Sequence, residues 1–370
     1  MRRISTAAMT VTAVAAMMSP ATASPPPKRL AVPPPTGHHA VGTAELHLVD
    51  ETRADPWVPE SGPRELVVSM YYPAAVPVGA PRQYLTAREA EILLAANDLP
   101  EIPPELLAGT RSSARVGAPP LPRWHGYPLA VLSNGLGMPR ATLTGLAEDL
   151  ASRGYVVAAV GHNYEADGTA FPDGHVTECA ACGPGLDHVL LSKVRTADVS
   201  FVLNRLTARD SPYALLIDPA KIGLVGQSVG GNAAPLAMLA DRRIRAGVNL
   251  DGRFWSPLPE SGVDRPILLL GRESAHTPTG PDPTWPESWP KLHGWKRWLS
   301  VDGAAHTGFT DNIALMDQAG VTKPGTMPGA RSMELTRAYV AAFLDLHLRG
   351  RPQPLLDGPV ATNPEVRFWP

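Results

Sequence analysis

An α/β fold, with a mostly parallel central sheet and helices on both faces, is predicted by three features of this 370-residue chain. From Tyr127 onward, apolar runs of strand length alternate with longer segments of helical periodicity. Glycines such as Gly154 stand where helical segments stop. Finally, Ile222-Gly223-Leu224-Val225 runs directly into Gly226-Gln227-Ser228-Val229-Gly230-Gly231 and an alanine-rich stretch, the pattern of a strand turning sharply into a helix.

The elements follow in order. Residues 42–49 and 64–72 read as strands, the second by period-2 alternation, and form a leading antiparallel part of the sheet. Thr86 and Glu89 make a capping box that opens a helix over 87–96. Residues 127–133 read as a strand, 141–153 as a helix, 155–160 as a strand and 188–206 as a helix. After the turn at Ser228 come a helix over 232–240, which Pro235 should kink or shorten, and strands at 246–250, 266–270 and 296–301. A periodic segment, 333–349, supplies the last helix. No internal repeat is visible.

Composition narrows the class. Hydrophobic residues are 44% of the chain, charged residues 18%, and the formal net charge is −2. Nothing basic is left over to hold nucleic acid through phosphates, so no nucleic-acid partner is expected. Met1-Arg2-Arg3, the apolar stretch from Thr6 to Met18 and the small residues Ala21-Thr22-Ala23 read as a secretory signal over 1–23. Its apolar core is too short to span a bilayer, so an exported protein is expected, with a retained signal anchor as the rival. Residues 24–41, dense in the 41 prolines of the chain, form an extended mature N-terminus. One large domain over 42–350 follows, carrying 80–123 as an insertion or cap, and 351–370 form a C-terminal tail.

Ser228 is the candidate nucleophile, because Gly-x-Ser-x-Gly at a strand-to-helix turn pushes the hydroxyl out over the end of the sheet. A serine needs a base, and the base needs an acid to orient it. Of the downstream histidines, His347 lies in a helical pattern, His293 in a tryptophan-rich connection and His276 before the last strand. His306 sits in a small-residue loop after the 296–301 strand, where open α/β sheets keep their sites. Asp251 and Glu273 compete for the acid; Asp251, before Gly252 at a strand end, is favoured, since Arg272 beside Glu273 is a ready ion-pair partner. Asp302 and Asp311 read as loop and helix-cap residues. Oxyanion donors fall to the backbone N–H of Val229 and, in the loop Asn134-Gly135-Leu136-Gly137, of Leu136. Together these residues specify an α/β-hydrolase fold and no cofactor.

Ser133-Asn134-Gly135-Leu136-Gly137, Arg153-Gly-Tyr-Val-Val-Ala-Ala-Val160 with Gly161-His162, the Ser228 turn, Leu250-Asp251-Gly252 and Gly303-Ala-Ala-His306 through Asp311 resemble the platelet-activating factor acetylhydrolase family, over about residues 42–350. The resemblance implies calcium-independent hydrolysis of carboxylic esters, often with short acyl groups. It places the acid at Asp251 and the oxyanion donors at Leu136 and Val229. Gln227 and Asn134 depart from the family, which commonly has histidine at both places.

Cys179 and Cys182 are read as a disulfide closing a tiny loop; the alternative is zinc, using His175 and His188 as well. Phe254, Trp255, Trp285, Trp289, Trp295 and Trp298 cluster between Asp251 and His306, and two or three are expected at the site mouth. The expected partner is a small-molecule or phospholipid ester, with transient lipid-surface contact. A polyester hydrolase with the same triad is one alternative; a non-catalytic binding protein on the same fold is another. Oligomeric state is not legible.

Overall fold

The computed structural model describes residues 29–321 and 324–370, so the expected signal over 1–23 lies outside the described residues. Twelve strands are found among them: β1 (Ala40–Ala54), β2 (Pro63–Ala74), β3 (Arg115–Val116), β4 (Tyr127–Ser133), β5 (Val156–His162), β6 (Thr169–Ala170), β7 (Val176–Thr177), β8 (Ile217–Gln227), β9 (Ile244–Leu250), β10 (Ile267–Arg272), β11 (Lys296–Val301) and β12 (Val366–Trp369). The helices are α1 (Ala87–Ala96), α2 (Pro104–Ala108), α3 (Thr144–Ser152), α4 (His188–Thr207), α5 (Val229–Ala240), α6 (Thr284–Ser288), α7 (Asp311–Ala319) and α8 (Gly329–Arg349).

Ten strands make one sheet in the order β12-β11-β10-β9-β8-β4-β5-β2-β1-β3. Neighbours from β11 through β5 are parallel, whereas β2 pairs antiparallel with both β5 and β1. β12, expected as part of a tail, closes the far edge antiparallel to β11. The central strands are apolar throughout because both faces are covered: in β4, Ala130 and Leu132 point to the core under α3 and α8, Leu129 and Val131 to the core under α4 and α5.

A third apolar cluster joins the N-terminal segment to the insertion. Leu30 and Val32 pack with Tyr84, Leu93, Leu94 and Leu107 and with Leu315 of α7. The capping box at Thr86 and Glu89 is formed. α5 begins at Val229, three residues before the expected start, and runs unbroken through Pro235, so the proline does not shorten it. Ala234, Ala237 and Met238, packed into the core on that face of the sheet, hold it in place.

Candidate active site

Ser228 stands between the end of β8 and the start of α5 with φ 55° and ψ −120°, a left-handed conformation costly for a residue with a Cβ. The turn is tight enough that a Cβ on Gly226 would strike the Gly230 backbone, and one on Gly230 the carbonyl of Ser133. That closeness is the physical reason for both glycines of the motif.

Asp251 follows β9, is 2% exposed, and also has a positive φ, 56°. Its carboxylate is fixed on both sides. Oδ1 accepts the Arg272 N–H at 2.6 Å, and Oδ2 lies 2.5 Å from His306 Nδ1. With the carboxylate accepting there, Nδ1 carries the imidazole proton and Nε2 turns its lone pair toward Ser228 Oγ, 3.0 Å away. His306 lies in a single 3-10 turn, His306–Phe309, after β11. Gln227 Nε2 donates to its carbonyl at 3.1 Å, so the glutamine that departs from the family pattern is tied to the histidine loop.

Beside the serine, the loop after β4 closes in. A Cβ on Gly135 would crowd Gln227 Oε1 and lie 3.4 Å from Ser228 Cβ. Among the described residues neither the Leu136 nor the Val229 N–H has an internal acceptor, so both remain free to donate.

The other sequence candidates are drawn elsewhere. The expected pairing of Arg272 with Glu273 does not occur: Glu273 binds Arg367 at 3.0 Å, and Arg272 Nη1 lies 3.2 Å from Asp251 Oδ2. The two residues sit at the end of β10 on opposite sides of the chain, so only the arginine reaches the site. His276, set aside on sequence position, also stands by Asp251, with Nε2 at 3.3 Å from Oδ1 and its ring stacked on Trp285 at 4.1 Å. His293 lies 3.4 Å from Asp264, and His347 packs against Trp295 and Phe343, where burial lowers its pKa to about 4. Thr310, not Asp311, caps α7; Asp311 is fully buried and accepts the Gly145 N–H.

A cleft of ≈ 370 Å³ is lined by Ser228, Asp251, His306, Arg253, Trp255 and Arg272. Of the six clustered rings only Trp255 lines it, stacked on His188 at 3.9 Å with the Arg253 guanidinium 4.8 Å from its ring centre. Trp285 and Trp298 are buried in the core instead. On the other side of His306 a second hollow, ≈ 380 Å³, opens between the insertion and α7, walled by Leu93, Leu94, Leu315 and Met316.

Cys179 and Cys182 form a disulfide. His175 pairs with Asp173 at 2.6 Å and His188 lies under Trp255, so the four residues of the zinc alternative are not assembled. A buried cluster of His162, Glu165 and Asp198 has metal-like spacing, but the guanidiniums of Arg64 and Arg195 fill it. Burial alone would raise the Asp198 carboxyl; the adjacent Arg64 charge instead holds it well below its ordinary value. Sequence spacing carried no signal for this network, since Arg64 and Asp198 are 134 positions apart.

Comparison with known proteins agrees with the fold. The family model described as platelet-activating factor acetylhydrolase, isoform II, matches residues 28–179. The solved ferulic acid esterase from Streptomyces cinnamoneus is 42% identical, covers 92% of this chain and 99% of its own, and superposes with a TM-score of 0.83. The chain belongs to one family of esterases with this enzyme. A probable 1-alkyl-2-acetylglycerophosphocholine esterase from Arthroderma benhamiae is 29% identical over 96% of this chain and 98% of that one. The platelet-activating factor acetylhydrolase of Canis lupus familiaris is 27% identical over 62% and 59%. Membership in this group makes the chain a carboxylic ester hydrolase of the α/β-hydrolase fold.

Proposed function

We propose that the chain is an exported serine esterase working through an acyl-enzyme on Ser228. His306 Nε2 takes the Ser228 proton as Oγ attacks the ester carbonyl, and the oxyanion that forms is met by the N–H groups of Leu136 and Val229. The imidazolium, steadied by Asp251, then gives its proton to the departing alkoxide. A water molecule repeats the sequence and frees the acid. The observation that carries this reading is the unbroken chain from Oγ through the imidazole to a buried carboxylate, 3.0 and 2.5 Å.

The substrate is an ester with an acyl group small enough for the cleft beside Ser228, including short-acyl phospholipids of the kind named for the acetylhydrolase relatives. A second reading, an aromatic acyl group, is favoured by Trp255 at the cleft and by the name of the ferulic acid esterase relative. The signal-like pattern of residues 1–23 supports export; among the described residues no helix is long and apolar enough to cross a membrane.

Purified protein assayed on p-nitrophenyl esters of rising acyl length, a 2-acetyl phosphatidylcholine, methyl ferulate and a polyester film separates these readings. The highest kcat/KM is expected on acetyl or propionyl esters. A preference for ferulate moves the assignment to the aromatic reading, and a preference for long acyl chains or film contradicts both.

A further inference from the structure

The oxyanion loop, residues 134–137, is gripped from behind at both ends. At its start, Arg195 Nη1 donates to the Asn134 carbonyl and, at 3.2 Å, to Ser133 Oγ. At its end, the Gly137 N–H donates to the Glu165 carbonyl at 2.9 Å. The two gripping residues are themselves joined, since Arg195 Nε donates to Glu165 Oε2 at 2.8 Å. Backbone, carboxylate and guanidinium thus close a ring of bonds, and Gly135 and Leu136 are the residues it encloses.

That ring is set into a fully buried ion cluster. Glu165 Oε1 receives Arg64 Nη2 at 3.0 Å and Trp57 Nε1 at 2.9 Å. Asp198 Oδ2 receives Arg64 Nη2 at 2.8 Å and lies 2.9 Å from His162 Nδ1, whose Nε2 is 2.9 Å from Ser133 Oγ. Stability is a poor explanation for such an arrangement. Arg195 has no exposed surface, burial lowers its pKa against the pull of Glu165, and its Nη2 has no acceptor among the described residues. A buried ion set with an unmet donor costs folding energy that apolar packing would not, so its persistence beside the site points to geometry. Geometry is what an oxyanion donor needs, because its N–H must be aimed before the charge appears.

We propose that Arg195, acting with Glu165, is a positioning residue that holds the Leu136 N–H in line for the oxyanion. It touches no substrate; it works through the Asn134 carbonyl. This inference rests on the serine esterase reading above, and the two fail differently.

The test uses the full chain with Arg195→Met, Arg195→Lys and Glu165→Gln. Each variant is assayed for kcat and KM on p-nitrophenyl acetate, titrated with a fluorophosphonate to count working sites, and inhibited with an aryl trifluoromethyl ketone, whose adduct places an oxyanion in the hole. Arg195→Met is expected to lower kcat per titrated site by about 100-fold, the order of losing one oxyanion donor. KM should change little, and ketone affinity should fall by the same factor as kcat/KM. Arg195→Lys, which can reach the Asn134 carbonyl but not hold Glu165 as well, should recover part of the loss. Glu165→Gln keeps the side chain's size and the bond to Gly137 and should lie between the two; it carries the test if Arg195→Met does not fold. Variants with fewer titrated sites that each turn over at the parent rate, or with KM raised and kcat intact, would overturn the proposal. A parent protein that does not titrate at all would overturn the esterase reading itself.

Discussion

Replacing Asp251 with Asn should inactivate the enzyme without unfolding it, and the reason lies in the surrounding donors. Oδ1 accepts the fixed backbone N–H of Arg272 at 2.6 Å, whereas the donor on Oδ2 besides His306 is the movable Arg272 guanidinium at 3.2 Å, so the amide of the variant should turn its carbonyl oxygen toward the backbone N–H. Its NH₂ group is then left facing His306 Nδ1, where Oδ2 now stands at 2.5 Å. A donor there forces the imidazole proton onto Nε2, and the nitrogen 3.0 Å from Ser228 Oγ can no longer accept. Reversal of this tautomer in a serine protease lowers kcat about 10⁴-fold, or roughly 5.4 kcal/mol of transition-state stabilisation. Steady-state hydrolysis of p-nitrophenyl acetate at pH 7 measures it, with circular dichroism as the check on folding. Glu273→Gln is the control and should stay within about threefold, because Glu273 binds Arg367 instead. A loss smaller than tenfold in the Asp251 variant, or a large loss in the control, would refute the assignment.

Gln227→Ala removes the bond that ties β8 to the His306 carbonyl, worth about 1 kcal/mol, and should lower kcat roughly fivefold to tenfold with KM unchanged; full activity would show the histidine loop to be held by other contacts. Asp311 has its pKa raised to about 7 by burial, which favours the neutral carboxyl in the folded chain. The stabilisation is therefore complete below pH 4 and lost as pH rises through 7, about three units or roughly 4 kcal/mol at most. Asp311→Asn should flatten urea-denaturation stability across this window and be the more stable protein at pH 8; an unchanged pH dependence would contradict this origin. Reducing Cys179–Cys182 should cost no more than about 2 kcal/mol, because the loop it closes is three residues apart in sequence, and calorimetry with and without reductant checks it.

Much of the fold was legible because burial writes itself locally. β4 and β5 are covered on both faces and so read as continuous apolar runs, and the glycines around Ser228 are demanded by backbone contact within the turn itself. Ser228, Asp251 and His306 could be chosen because each ends a readable strand or follows one. The surroundings of the acid were not legible. Whether Arg272 turns toward Asp251 or Glu273, and whether His276 reaches the same carboxylate, depends on side-chain directions that spacing does not encode. The Arg64 and Arg195 cluster was hidden for a related reason, since its members come from β2, β5, α4 and the loops between them. Two or three of the six clustered rings were expected at the mouth, but of the six Trp255 alone lines the cleft while Trp285 and Trp298 fill the core, because apolar area outweighs any local preference for exposure.

The most direct test is covalent. Incubation with a fluorophosphonate, followed by mass spectrometry of the intact and digested protein, should show one adduct on Ser228, absent from Ser228→Ala and slowed by orders of magnitude in the His306→Ala variant. Labelling at another residue, or none on a folded and unmodified chain, would contradict the proposed nucleophile and the mechanism built on it.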